Sequence, residues 1–301
     1  MRYTLDDPRE KLRWARQHFE TLRPQIEAFE QRDAHTISVE VNADAGEYVF
    51  HVHNVEEPDP DWGLMIGDCI HNARAALDYL MVQLYAWITE SDPRETTGVQ
   101  FPISHDPDRF RSSPSVVEAG KHFHFSGYLA RLEELQPYNS LNVSVWGSPK
   151  INGSASYLAA GLQNLSRLDI IDKHRVVHAI WAGLSLLSLG TEKPWPSEFK
   201  SISGSLSAGK PLQEDAQIAS WRFETPLPFE WEPSQVEMKR MFPVEIGFDQ
   251  RWIGVGQSVL VVLPLCLWTV EAIIGLFEPV FDLKEPPLPV SSIEAPALRS
   301  F

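Results

Sequence analysis

Two short segments concentrate the residue types that do chemistry. In Gly67-Asp-Cys-Ile-His-Asn-Ala-Arg-Ala-Ala-Leu-Asp78, His71, Arg74 and Asp78 are spaced i, i+3 and i+7. On a helix all three project from one side, and Arg74 can pair with Asp78 across one turn. A helix with one surface ion pair and a satisfied histidine would account for this cluster alone. In Arg167-Leu-Asp-Ile-Ile-Asp-Lys-His-Arg-Val-Val-His178, seven ionisable or imidazole groups fall within twelve residues, more polar chemistry than a core helix needs. Arg167, His174 and His178 share one helical face, Asp172 and Arg175 share another, and Asp169 can pair with Lys173 at i, i+4. The i, i+4 spacing of His174 and His178 also suits one metal ion, with Asp172, Asp78 or His71 as further ligands. No HExxH motif or second ligand pair accompanies it, so neither a metal site nor a cofactor is expected.

The elements that would position these residues are mainly helical. Residues 8 to about 32 carry apolar positions every three to four residues, with Asp7 and Pro8 as a start signal and Pro24 as a kink or break. Alternating segments 36–42 and 47–53 flank a Gly-containing turn and predict a β-hairpin over about 36–54. A long helix is expected from about Trp62 to Thr89, loop over 91–115 with Phe101-Pro-Ile as an anchor, a helix over about 115–135, and another from Ser154 to about Leu189. Short alternating segments between about 200 and 250 predict a small antiparallel sheet. A last helix covers Val259 to Phe277, before a Pro-rich tail over 282–301. The expected fold class is α+β: a bundle of about five helices, an N-terminal hairpin and a small C-terminal antiparallel sheet, in one domain over 1–281. If helices 62–89 and 154–189 lie side by side, His71, Arg74, Asp78, Asp172, His174 and Arg175 form one network. Such a network is costly to bury unless paired, and is then either a specificity device or a site.

Composition bounds the function. Lys and Arg number 26 against 41 Asp and Glu in 301 residues, a net charge of −15. That excludes a general nucleic-acid coat function, which rests on excess cation; any RNA contact would be a local site. The two cysteines, Cys69 and Cys266, write no disulfide framework, and no apolar segment follows the charged N-terminus, so a cytoplasmic protein is expected. Val259 to Phe277 is long enough to cross a bilayer, but Glu271 interrupts it at a cost of about 2.5–3.5 kcal/mol. A buried core helix, with no membrane partner, is the expectation.

The segments His71-Asn-Ala-Arg-Ala-Ala-Leu-Asp78 and Ile171-Asp-Lys-His-Arg175, with Phe101-Pro-Ile103 and Leu135-Gln-Pro137 between them, resemble a group of uncharacterised bacterial and prophage proteins common in actinobacteria. The resemblance covers roughly residues 8 to 180 and implies no particular activity. The chain is also similar, more weakly, to HEPN-type helical-bundle proteins, many of them metal-independent ribonucleases. Their signature is an Arg, usually followed by a polar residue, and a His after four to six intervening positions. Arg167 and His174 match that spacing, while Leu168 departs from the usual polar neighbour. That similarity implies His174 as general acid or base on the ribose 2′-hydroxyl or leaving oxygen, with Arg167 or Arg175 stabilising the phosphorane. The alternative is a non-enzymatic binding or structural protein whose polar network locks two bundle helices.

Overall fold

The same spacing of apolar side chains that predicts helices also decides which of their faces meet. The computed structural model describes residues 3–32, 35–42, 44–96, 98–122, 126–140, 154–174, 180–184, 202–206, 213–223, 244–248, 257–282 and 286–294. Among them are seven α-helices: α1 (Asp6–Gln31), α2 (Asp61–Thr89), α3 (Pro107–Ser112), α4 (Pro114–Gly120), α5 (Ser126–Glu134), α6 (Ser154–His174) and α7 (Val259–Asp282). Six strands accompany them: β1 (Thr36–Asn42), β2 (Glu47–His53), β3 (Ile180–Leu184), β4 (Ile202–Leu206), β5 (Gln217–Phe223) and β6 (Val244–Phe248). The protein is therefore α+β and mainly helical. Its residues divide into two compact units, one of 1–21, 65–177 and 260–301, the other of 22–64 and 178–259.

In the first unit, helices α2, α6 and α7 bury Ile66, Ala73, Leu77, Leu162, Leu165, Leu168, Val270 and Ile273, each essentially inaccessible to solvent. Small residues set the closeness of these helices. A Cβ at Gly67 would lie 2.5 Å from Asp172 Oδ1, so this glycine admits the α6 carboxylate against the α2 backbone. A Cβ at Gly161 would overlap Thr269 on α7 and sit 3.1 Å from the Leu265 carbonyl oxygen. Cys266 Sγ donates to the Gly161 carbonyl at 3.6 Å. Helix α1 is tied to α7 by ion pairs of Arg9 with Glu278 and Arg16 with Glu271. Helix α7 is the one helix among the described residues long and apolar enough to cross a membrane. Within this unit its Val262, Leu263, Val270, Ile273 and Phe277 are buried, and Glu271 faces Arg16.

Three local expectations are corrected. The single helix expected over 115–135 is two: Pro114 and Gly120 bound α4, and α5 begins at Ser126. The segment expected to be loop up to 115 contains α3, started by Pro107 and by Asp106, whose carboxylate accepts from Asp108 N at 3.0 Å and Arg109 N at 2.9 Å. The helix expected to reach Leu189 stops at His174, and Ile180–Leu184 is strand β3. That short apolar run has no helical periodicity of its own, and antiparallel pairing with β6 decides its state.

In the second unit, the N-terminal hairpin and part of the C-terminal region form one four-stranded antiparallel sheet in the order β1-β2-β5-β4. The hairpin and the expected C-terminal sheet are thus not separate, and β6 leaves that sheet to pair with β3. Gly46 supplies the positive φ of +61° that the hairpin turn requires. Tyr48, Phe50 and Val52 alternate inward along β2 and are fully buried. The Phe29 and Trp62 rings meet edge to face at 5.5 Å, and Trp62 Nε1 donates to Gln25 Oε1 at 3.1 Å. Glu30 accepts the Ile246 main-chain N–H at 2.8 Å. Burial pushes its carboxyl up to about 7 against the counteracting Ile246 hydrogen bond, with the charges of Glu245 and Glu27 adding to the rise.

Two predictions follow from these packings. Gly161→Ala forces Thr269 aside and loses roughly 1–3 kcal/mol of stability, whereas Gly275→Ala, where a Cβ meets nothing within 4 Å, is stabilising by roughly 0.5–1 kcal/mol; urea unfolding of both variants checks the contrast. Between pH 4.5 and about 7 the folded chain keeps a proton on Glu30 that the unfolded chain has released, so wild-type stability falls as pH rises through that window. Glu30→Gln keeps the acceptor and removes the titration. Its stability relative to wild type, read from urea midpoints, rises across this window and levels off above it.

Candidate functional site

An irregular segment with a buried backbone needs partners for every N–H and C=O it carries. Residues 100–104 form such a segment in the first unit, where Phe101 is 1% exposed and Pro102 is buried beside it. Asp78 Oδ1 accepts the Phe101 N–H at 2.9 Å, and Arg74 Nη2 donates to the Phe101 carbonyl at 2.8 Å. The two side chains also pair with each other at 2.9 Å across one turn of α2. Gln136, fully buried, continues the pattern: its Oε1 accepts the Ser104 N–H at 2.8 Å and its Nε2 donates to the carbonyls of Pro102 and Leu132 at 3.0 and 2.7 Å. Ser115 Oγ accepts the Gln100 N–H at 2.8 Å. Four side chains from three separate parts of the chain therefore replace the ladder that a strand would have supplied.

The electrostatics of this arrangement favour a fixed geometry over strong attraction. Burial raises the Asp78 pKa above the usual carboxylate range despite Arg74, the Phe101 N–H and Lys173, all of which favour its charge; Asp169 adds to the rise. The desolvation of this carboxylate thus exceeds what its partners return, the common balance for a buried ion pair. On α6, Asp169 is buried and pairs with Lys173 at 2.7 Å, as the i, i+4 spacing predicts. Asp172 sits against α2 at Gly67.

The sequence-predicted residues are therefore partly brought together. Arg74 and Asp78 form the centre of the network, and Asp172 meets α2 eleven positions away, at Gly67. His71 is exposed and joins none of these bonds among the described residues. His174 is the last residue of α6. Arg175 and His178 lie outside the described residues. Arg167 is on α6, where both of its terminal nitrogens reach the Gln163 carboxamide oxygen, at 2.9 and 2.7 Å, when that oxygen is turned toward it. His105, unmentioned by any spacing argument, is brought near Arg167. Desolvation and then the Arg167 charge hold its imidazole below its ordinary pKa. Local sequence contains no sign of this approach, since 62 positions separate the two residues.

Both cysteines are free and buried, and burial raises both thiols, Cys69 to about 12. Neither can act as a thiolate nucleophile there. A cleft of about 720 Å³ opens elsewhere in the first unit, lined by Thr4 and Asp7, by Tyr79, Val82 and Gln83 of α2, and by Asp92, Pro93, Arg94 and Thr96. None of the residues selected from the two sequence clusters lines it. Comparison with known proteins gives no match: no family model, curated protein or solved structure is significantly similar to the chain.

The network predicts a graded response to substitution. Asp78→Ala leaves the Phe101 N–H without its acceptor and the Arg74 guanidinium without its carboxylate partner, with only the Phe101 carbonyl remaining to it, and costs roughly 3–5 kcal/mol. Asp78→Asn keeps an acceptor oxygen and costs less. Urea unfolding of the two variants, with circular dichroism to confirm the folded baseline, measures the difference.

Proposed function

We propose that this chain is a non-enzymatic binding or structural protein whose polar network is a lock between bundle elements. The observation that carries the reading is the use of Arg74 and Asp78: both face inward onto the main chain of Phe101, in the geometry of a staple. The segments that stand out in the sequence support one another in the same way, with Arg74 and Asp78 of the first motif and Gln136 of the Leu-Gln-Pro motif holding the Phe-Pro-Ile segment. The cleft beside Tyr79, Gln83 and Arg94 is the place for a small polar ligand in this reading, since pockets of this volume are typical of ligand sites. A cytoplasmic location is proposed with it, in keeping with two cysteines that remain free thiols.

A second reading, a HEPN-like metal-independent ribonuclease acting on RNA at a local site, is favoured by one specific observation. Desolvation and, after it, the charge of Arg167 hold the His105 imidazole below its ordinary pKa, which favours its neutral form beside a cation of α6, the helix that ends in His174. Such a pair suits proton transfer next to a stabilised phosphorane.

RNA cleavage in EDTA distinguishes the two. The lock reading predicts no cleavage above buffer by wild type, and no difference on Arg167→Ala or His174→Ala. Cleavage by wild type that disappears in either folded variant would replace the lock reading with the ribonuclease.

A further inference from the structure

The second unit contains a cluster that neither the two sequence motifs nor the proposed function uses. His51 and His53 are two apart on β2 and lie on its less buried face, where the sequence alone offers two imidazoles and no third ligand. The turn before β5 supplies the missing groups. His53 Nδ1 is 2.7 Å from Asp215 Oδ1, and one ligand atom each from His53, Glu214 and Asp215 lies within 4.8 Å of the others.

We propose that His53, Glu214 and Asp215 bind a first-row divalent metal ion, with zinc as the best chemical fit. One imidazole nitrogen and two carboxylates match the mixed N/O preference of this ion, and their combined charge of −2 offsets that of the cation. Zinc bonds of about 2.0–2.1 Å place tetrahedral ligand atoms about 3.3 Å apart. The His53–Asp215 pair needs to open slightly from 2.7 Å for the three groups, whose ligand atoms all lie within 4.8 Å of one another, to share one ion.

Two of the three ligands, His53 and Glu214, are also held by further bonds. His53 Nε2 lies 2.6 Å from Ser38 Oγ on β1, which orients the ring and leaves Nδ1 directed at Asp215. The two oxygens of Glu214 accept the main-chain N–H groups of Asn54 and Val55 at 3.0 and 3.1 Å, so the carboxylate is fixed at the end of the hairpin. Metal ligands are characteristically supported in this way, the ring by its second nitrogen and the carboxylate by donors. The site is open to solvent, which provides the entry path, and leaves a fourth position for water. Because the ligands come from β2 and from the turn before β5, a bound ion would clamp two elements already hydrogen-bonded through Val52 N and the Ala216 carbonyl.

The test is zinc titration of the full chain against a chromophoric chelator, with circular dichroism to confirm folding. The expected result is one zinc per wild-type chain, bound at least ten-fold more weakly by His53→Ala and by Asp215→Asn, and a wild-type Tm that rises with zinc in proportion to that binding. Glu214→Gln keeps an acceptor for the main chain and loses the charge, so it decides the matter if either of the other variants unfolds: at least ten-fold weakening supports the site. Ten histidines are distributed over the chain. Zinc bound equally by wild type and the folded variants, or no zinc bound by wild type at 100-fold excess over protein, would overturn the assignment.

Discussion

A main chain that leaves regular structure inside a protein must still satisfy its amides and carbonyls, and this constraint organises the first unit. The Phe101 ring is buried, which forces the adjoining backbone inward with it. Arg74 and Asp78 on α2, Gln136 and Ser115 then meet that backbone through five hydrogen bonds between Gln100 and Ser104. An unpaired buried amide costs about 1–3 kcal/mol, so losing several of these bonds together would remove a large part of the stability of an ordinary domain. The pair is arranged for direction. Burial raises the Asp78 pKa even with Arg74 alongside, so what the two residues contribute is placement of the Phe101 main chain on α2.

Helix closeness follows a second, simpler rule. Gly67 lets a carboxylate of α6 come against α2, and Gly161 lets Thr269 of α7 come against α6. Acidic Asp172 is thereby held at the helix contact, while Asp169 is paired by its own helix through Lys173. Among the described residues at this end of α6, Asp169 and Lys173 pair locally, and Asp172 sits against α2 at Gly67.

The sequence reveals the fold class because its strongest patterns are long. The apolar period of α2 and α7 and the alternation of β1 and β2 are local properties: α2, β1 and β2 appear within a residue of their expected places, and α7 begins where expected and runs five residues past Phe277. Gly46 marks the hairpin turn for the same reason. Short apolar runs are ambiguous: Ile180–Leu184 is a strand because β6 is there to pair with it, a fact absent from its own residues. The joining of the hairpin to β5 is likewise a long-range pairing, and it is what places Glu214 and Asp215 at His53. In the first unit, the pairing of Arg74 with Asp78 was readable from one helical turn. That their common partner would be the backbone of Phe101 was not, because no side-chain type signals a main-chain donor or acceptor distant in sequence. His105 beside Arg167 and Glu30 beneath Ile246 belong to the same class of nonlocal contact.

One main-chain group, the Phe101 amide, thus reports on the lock. If Arg74 and Asp78 are a lock, the Phe101 amide is as inaccessible to exchange as the helix that holds it, although it belongs to no helix or strand. Amide hydrogen exchange followed by NMR measures this directly. The lock predicts that the Phe101 N–H exchanges as slowly as the interior amides of α2, opening only with the whole unit. Exchange at the rate of an exposed loop amide would contradict it.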